Sequence, residues 1–302
     1  MSLSYANFPI YVGSANTSSI PDQEGTSLPS TSVGVLYSTA VKANRRLGKP
    51  VPVGNPRNPI LFPTESGNAR WGEQVKFSRP LSASISFQML LHDELPPNET
   101  GYSFLSGQSG DFFPVQIGSG IFNKCYLQDY TVNIQPYVPV TVDVNFISLD
   151  PPIGQQISGD ASPSSGAFSL DFNSDDFVYG HTCAVNNMTD VVGNVQSSIT
   201  YKRSFARTPI YTLGSINATD MLLDGIETET RITSTGLENL INYSGDAIAN
   251  NLTIALDNVT GDSIRFFTGI VISEGARVLD ETYNMVGGDT LQTTATLSEV
   301  LL

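Results

Sequence analysis

Charge is scarce in this sequence. Asp, Glu, Lys and Arg make up 15% of its 302 residues, against about 25% in an average globular protein. Positive charge is scarcer still, with 15 Lys and Arg against 29 Asp and Glu for a net charge of −14. Gripping nucleic acid over a broad surface needs a positive patch to meet the phosphates, so that class of function is disfavoured. No run of about eighteen apolar residues occurs, so no helical membrane span is expected. Met1–Ile20 has neither a basic n-region nor a continuous apolar core, which speaks against a secretory leader there. Histidine and cysteine are also rare. The two cysteines, Cys125 and Cys183, are too few for a disulfide framework and are expected as buried free thiols. His181-Thr182-Cys183 lacks the second ligand pair that a zinc finger needs.

What fills the space is Ser, Thr and Asn, with 26 Gly, 18 Pro and 40% hydrophobic residues. That hydrophobic share separates the chain from a disordered acidic tail. The length suits two domains of ordinary size or one large β domain, and is enough to bury a core without metal or disulfide staples.

Residues 1–32 read as an arm. Ser4, Asn7, Ser14, Asn16, Ser18, Pro21, Ser27 and Pro29 break its apolar stretches, so it cannot bury enough surface to fold alone, and a neighbouring subunit is the expected support. Residues 33–150 carry period-two patterning. Val75, Phe77, Leu81, Ala83, Ile85 and Phe87 alternate with polar residues. Leu127–Phe146 reads as a β-hairpin turning at Gln135-Pro136-Tyr137, with Val138, Val140, Val142, Val144 and Phe146 on one face. Residues 151–175 are Gly/Ser/Pro-rich and aperiodic, which marks a linker.

Residues 176–302 resume the β pattern at Val195–Phe205, Pro209–Leu213, Gly225–Thr233, Leu252–Leu256, Ile264–Ile272, Arg277–Met285 and Thr290–Leu297. Leu237, Leu240 and Ile241 within Thr235–Tyr243 have helical spacing, and Tyr102–Leu105 occupies a comparable place in the first half. The halves read as diverged copies of one unit. In each, an alternating strand leads through a basic step and a proline to a short strand ending in Gly (Val33–Gly54 and Val195–Gly214), and each closes on a strand, a turn and a strand. The expected fold is therefore mainly β, with two tandem domains and about one short helix in each.

Catalytic signatures are missing. There is no Gly-x-Ser-x-Gly elbow, phosphate-binding loop, His-Glu-x-x-His or dinucleotide fingerprint. His92, in Leu91-His92-Asp93-Glu94, reads as a rim residue, and His181 as structural. Glu227 with Glu229, and Asp175 with Asp176, are carboxylate pairs, but a glycosidase role depends on a spatial separation that sequence does not supply. No catalytic residue, metal ligand or cofactor site is expected. Sequons such as Asn16, Asn98 and Asn251 carry little weight in so Asn- and Thr-rich a chain.

Two charge features have physical content. Glu227 and Glu229 alternate with Ile226, Thr228 and Thr230, and Asp143 lies opposite the valine face of its strand. An acidic strand face lining a channel would repel DNA. The other feature is basic: Lys42, Arg45, Arg46 and Lys49, echoed by Lys202, Arg203 and Arg207, suit contacts to a neighbouring subunit's acidic rim.

Two copies of strand, long loop, long strand, helix and closing strand pair resemble the tail-tube proteins of tailed bacteriophages. The passages that carry the resemblance are Gly120–Gln135, Val138–Ser148 and Arg207–Ser215. The resemblance implies β-sandwich or split-barrel units whose inner sheets join around a lumen, with Asp143, Glu227 and Glu229 facing it. It also implies stacked rings of three duplicated subunits, each ring a pseudo-hexamer. The implied partners are further copies of the chain and other tail proteins (sheath, tape measure, baseplate or terminator), with DNA passing through unbound, no membrane and a location in the virion. The arm and linker exceed what a minimal tube unit needs, which leaves a tail-tip, hub or adaptor role open. Two other readings stay beside it: a β-rich adhesin that takes host surface sugars on loops such as Tyr102–Phe113, and a β-sandwich hydrolase using Glu227 and Glu229.

Overall fold

The computed structural model describes residues 9–13, 15–16, 34–46, 51–52, 62–63, 69–70, 76–77, 82–92, 101–106, 111–117, 120–149, 153–154, 177–186, 196–213, 218–235, 248, 250–262, 267, 269–286 and 290–301. These residues are mainly β, in antiparallel sheets. The strands are β1 (Pro9–Val12), β2 (Gly34–Arg46), β3 (Val51–Pro52), β4 (Phe62–Pro63), β5 (Ala69–Arg70), β6 (Lys76–Phe77), β7 (Ser82–Leu90), β8 (Phe113–Ile117), β9 (Gly120–Ile134), β10 (Thr141–Ser148), β11 (Ile153–Gly154), β12 (Ala184–Asn186), β13 (Gln196–Ile210), β14 (Asp220–Thr235), β15 (Leu252–Ala255), β16 (Gly269–Ile272), β17 (Arg277–Val286) and β18 (Thr290–Leu301). One short 3-10 segment, Gly101–Ser106, falls where the first-half helix was expected. The second-half helix candidate lies outside the described residues, except that Thr235 ends β14.

The principal sheet has 11 strands in the order β10-β7-β2-β1-β8-β9-β13-β14-β18-β17, with β11 beside β9. A further β9–β10 pairing closes β10, β7, β2, β1, β8 and β9 into a barrel. β9 makes this possible because it is long. Its Gly120–Cys125 portion pairs with β8, and its Asp129–Ile134 portion pairs with β13. The barrel therefore opens along β9 into the extension β13-β14-β18-β17.

Alternation explains the barrel. Along β10, Val142, Val144, Phe146 and Ser148 are buried while the residues between them are half-exposed. Phe87, Phe104, Phe113 and Phe146 gather in the core, with the Phe104 and Phe146 centroids 5.8 Å apart and Phe87 and Phe146 stacked at 6.1 Å. The 3-10 segment contributes Tyr102, Phe104 and Leu105 to this core, all buried. An aromatic cluster of this size is a large apolar payload with favourable ring geometries. Tyr102, Phe104 and Phe113 are thus core residues, which corrects the expectation that they present sugar-binding rings, while residues 107–110 of that loop lie outside the described residues.

The extension is covered on its inner face by a separate sheet, β12-β15-β16. Leu252, Ile254, Leu256, Ile270 and Ile272 share one core cluster with Ile199, Tyr201, Ile232 and Leu297. Phe267 meets Tyr130 edge-on at 6.0 Å, and Tyr130 meets Tyr201 at the β9–β13 seam. Burial raises the titration of both phenols, with Arg203 opposing the shift at each.

Two expectations change. β1 lies within the segment expected to lean on a neighbouring subunit, yet it pairs with β2 and β8 of its own chain and buries Ile10 and Val12. His92 is not a rim residue but only 1% exposed, with Tyr102 and Phe177 edge-on to its ring. Its backbone N–H donates to Tyr102 Oη. The cover comes from far along the chain: Val178 N donates to Leu91 O, Leu91 N to Val140 O and Val140 N to Val178 O, which ties three segments together. Gly180 completes this junction. A Cβ there would lie 2.0 Å from Gln135 O, so only glycine lets the two turns touch.

Candidate functional site: an in-register polar face

The outer face of the principal sheet carries three cross-strand rows, each placed by antiparallel register. The first runs Gln88, Asp143, Thr131, Lys202, Glu229, Ser298, Arg277 across β7, β10, β9, β13, β14, β18 and β17. The second runs Ser86, Asn145, Asp129, Ser204, Glu227, Val300. The third runs Leu90, Thr141, Asn133, Thr200, Arg231, Thr296, Asp280. Register decides which face a strand residue serves, because a one-residue slip exchanges the two. A bulge at Gln128 preserves this: Asn145 pairs with Asp129 and Phe146 with Leu127, so β9 keeps apolar residues inward on both sides of it.

Asp143, Glu227 and Glu229, singled out from the sequence as acidic strand residues, thus share one face although β10 and β14 are separated by β9 and β13. Asp143 and Glu229 share one row. The face carries Asp129, Asp143, Glu227, Glu229 and Asp280 against Lys202, Arg231 and Arg277. The carboxylates nearest the barrel are held firmly. Asp143 accepts from Gln88 Nε2 at 2.9 Å and from Asn133 Nδ2 at 3.0 Å. Asp129 accepts from Asn145 Nδ2 at 2.6 Å. On the extension the charges are looser, with Arg231 3.9 Å from Glu229 and both well exposed. Such a pair contributes well under about 1 kcal/mol. Thr233 and Thr294 hydroxyls meet at 3.2 Å further along.

The basic residues divide. Lys42, Arg45 and Arg46 are in β2, in register with Ser86, Ala83 and Ser82. Lys49 lies outside the described residues. Arg203 and Arg207 project to the inner face, opposite Lys202. Arg203 lies 5.4 Å over the Phe205 ring. Arg207 lies over Tyr126 and donates from Nε to Leu127 O at 2.9 Å. Burial lowers the Arg207 guanidinium from its ordinary value, with Tyr126 and Asp111 opposing the shift. Both arginines tie the β13–β14 hairpin to its own barrel.

Sequence reasoning passed over two features. Asp129 and Asn133 hold the polar face together with Asn145, which the sequence already placed opposite the valine face, and their signal was present as polar positions inside the predicted hairpin. The second is an aromatic stack. Tyr137, at φ 60° and 82% exposed, lies parallel to His181 at 5.6 Å, and Tyr179 tilts against His181 at 5.5 Å. The two turns that carry these rings are distant in sequence, so no local pattern announces them.

Neither cysteine is in a disulfide; Cys125 is buried and donates from Sγ to Phe122 O, and Cys183 is half-buried and donates from Sγ to Tyr179 O. Burial, reinforced by Asp257, pushes the Cys183 thiol up to about 12, the opposite of what a nucleophile or metal ligand needs. Among the described residues no group of three or more His, Cys, Asp or Glu could hold a metal ion.

No family model matches the chain, and no curated protein matches it. Function is therefore read from the geometry.

Proposed function

We propose that the chain is a structural subunit that assembles with copies of itself into rings and stacked tubes, as a tail-tube component of a tailed bacteriophage would. The observation that carries this reading is the polar face: three rows in register, two over seven strands and one over six, with Asp143, Glu227 and Glu229 together on it. Carboxylates on a wall repel passing DNA, and Lys202, Arg231 and Arg277 are too few and too interspersed to hold it. β17 supports the reading from another side. Among the described residues it ends the principal sheet and offers a ten-residue edge with Leu279 and Tyr283 exposed, a liability for a monomer and an asset for one that closes a ring. The likeness of the two halves, and hence three subunits per ring, belongs to the same proposal, as does a place in the virion beside other tail proteins.

Electron microscopy of the purified protein across a concentration series tests it. Hollow rings or tubes with three-fold or pseudo-six-fold end views are expected. Compact particles at every concentration would overturn the conduit reading.

A second reading draws on the Tyr137–His181–Tyr179 stack. An exposed stack of this kind is a platform for the apolar face of a sugar ring, as a host-binding adhesin requires. Saturable glycan binding lost in Tyr137→Ala, by a protein that forms no rings, would favour it.

A further inference from the structure

We propose that β1 is an exchangeable strand, and that in the assembled protein the slot between β2 and β8 is filled by Pro9–Val12 of a second copy. The slot is demanding. It pairs on both sides, with Ile10 opposite Leu36 and Ile117 and Val12 opposite Gly34 and Val115. It buries Ile10 and Val12 completely or nearly so. Without β1 the barrel is split, with β2 and β8 both left unpaired on that side and the Ile10 and Val12 sites open to water. An identical strand from another copy makes the same bonds and buries the same side chains, so exchange costs little in contact energy.

The connection is what points to exchange. Val12 and Gly34 are register partners on adjacent antiparallel strands, a geometry that a turn of two to five residues, roughly, would close. The chain instead uses residues 13–33, twenty-one in all. At ~3.3–3.6 Å per residue these span roughly 70 Å when extended, whereas a compact chain of this length has a radius of gyration of only about 19 Å. The connection is far longer than the cis arrangement needs and long enough to reach an adjoining copy. The anchors that travel with β1 travel as a unit. Gly13 N donates to Pro114 O, and Asn16 N donates to Phe112 O while its side chain donates to Asp111 Oδ1 at 2.8 Å. All of these acceptors lie on or next to β8, so the whole clasp from Pro9 to Asn16 can be supplied by another chain.

The inference rests on self-association but not on a tube, and its test separates the two. A full-length Tyr11→Cys/Gln116→Cys variant, whose new thiols are register partners, is oxidised at low and high concentration as a mixture of unlabelled and 15N-labelled chains. Denatured, non-reduced samples are then read by mass. Exchange predicts mainly intrachain links when dilute and mixed-isotope interchain links when associated, whatever the particles look like by microscopy. Intrachain links alone at every concentration, including those at which light scattering reports association, would overturn it. A second variant guards against misfolding of the first. Deleting residues 18–31 leaves seven residues between Val12 and Gly34, about 25 Å of reach at most, which permits the cis strand and cuts the reach to another copy to about a third. Loss of association from this folded variant is expected, and association equal to that of the intact chain would overturn the proposal. If exchange holds but no rings form, the strand inference stands and the tube reading fails.

Discussion

The barrel and the extension share one sheet, yet they resolve its edges and interior differently. The barrel closes on itself through β9 and β10, fills its centre with Phe87, Phe104, Phe113 and Phe146, and pins its outer carboxylates with Gln88, Asn133 and Asn145. The extension ends at β17, buries hydroxyls at Thr228, Thr230, Ser234 and Thr293 on its inner face, and leaves Glu227 and Glu229 exposed outside. A closed barrel needs nothing further to satisfy its backbone. An open sheet whose buried face mixes these hydroxyls with Ile199, Tyr201, Ile232 and Leu297 keeps an unpaired edge and has more to gain from a partner there. The difference teaches where stability resides and how each region can meet a second copy: the barrel, with its filled core, is the anchor and offers one exchangeable strand, and the extension offers an open edge.

The sharpest way to break that contrast is to empty the barrel. Phe146→Ala is expected to cost about 3–5 kcal/mol, through lost burial and a cavity among the other three rings, measured by denaturant unfolding. A cost below about 1 kcal/mol would show that the barrel is not the anchor. Thr230→Val probes the other side. The Thr230 hydroxyl is buried with no hydrogen-bond partner among the described residues, so replacing it by a near-isosteric methyl is expected to raise stability by about 1 kcal/mol. A marked loss of stability there would mean that the hydroxyl is bonded after all.

Between these two in size is the junction that binds the two regions. Gly180→Ala places a methyl against Gln135 O, and the turns must part, at about 1–3 kcal/mol. Thermal unfolding reads the loss, and an unchanged Tm would show that the close approach is not maintained in solution. A subtler change affects the edge alone. Leu279 sits at the β17 bulge and is 66% exposed. Leu279→Lys is expected to leave Tm within about 2 °C while weakening self-association in sedimentation velocity, since a charge on an edge strand discourages pairing. A fall in Tm with association intact would reverse the roles given to the two regions.

The smallest effect is alkaline. The Cys183 thiol ionises at an ordinary 9.0 when unfolded and is held up to about 12 when folded. Between those values the unfolded chain has released a proton that the folded chain keeps, so stability falls as pH rises from about 9 toward 12 and is unaffected below. Cys183→Ala should flatten that limb of the stability curve, and an unchanged slope would place the effect elsewhere.

Much of the strand content was legible because period-two alternation is a local property. Leu127–Phe146 shows it on both arms of its hairpin, and β13, β14, β17 and β18 each contain a stretch expected as a strand. Pro209 did not separate two strands as expected, for β13 runs on to Ile210 with a register shift at Ala206. The polarity of Asp143, Glu227 and Glu229 on alternating faces was also legible. Their presence on one face was not, because it depends on β9 lending its second half to β13 and on the Gln128 bulge keeping the phase. His92 shows the same limit. Its neighbours Asp93 and Glu94 suggest a rim, but residues 177–178, far along the chain, roof it over. Composition and alternation thus determined by themselves that this chain makes strands with apolar and polar sides, since each strand's sides are set by its own residues. Only the tertiary structure decided which strands neighbour which, and hence that the barrel closes, that β1 fills its slot and that the acidic positions meet, because pairing is a contest among backbone edges that are chemically alike and is settled by packing over the whole fold.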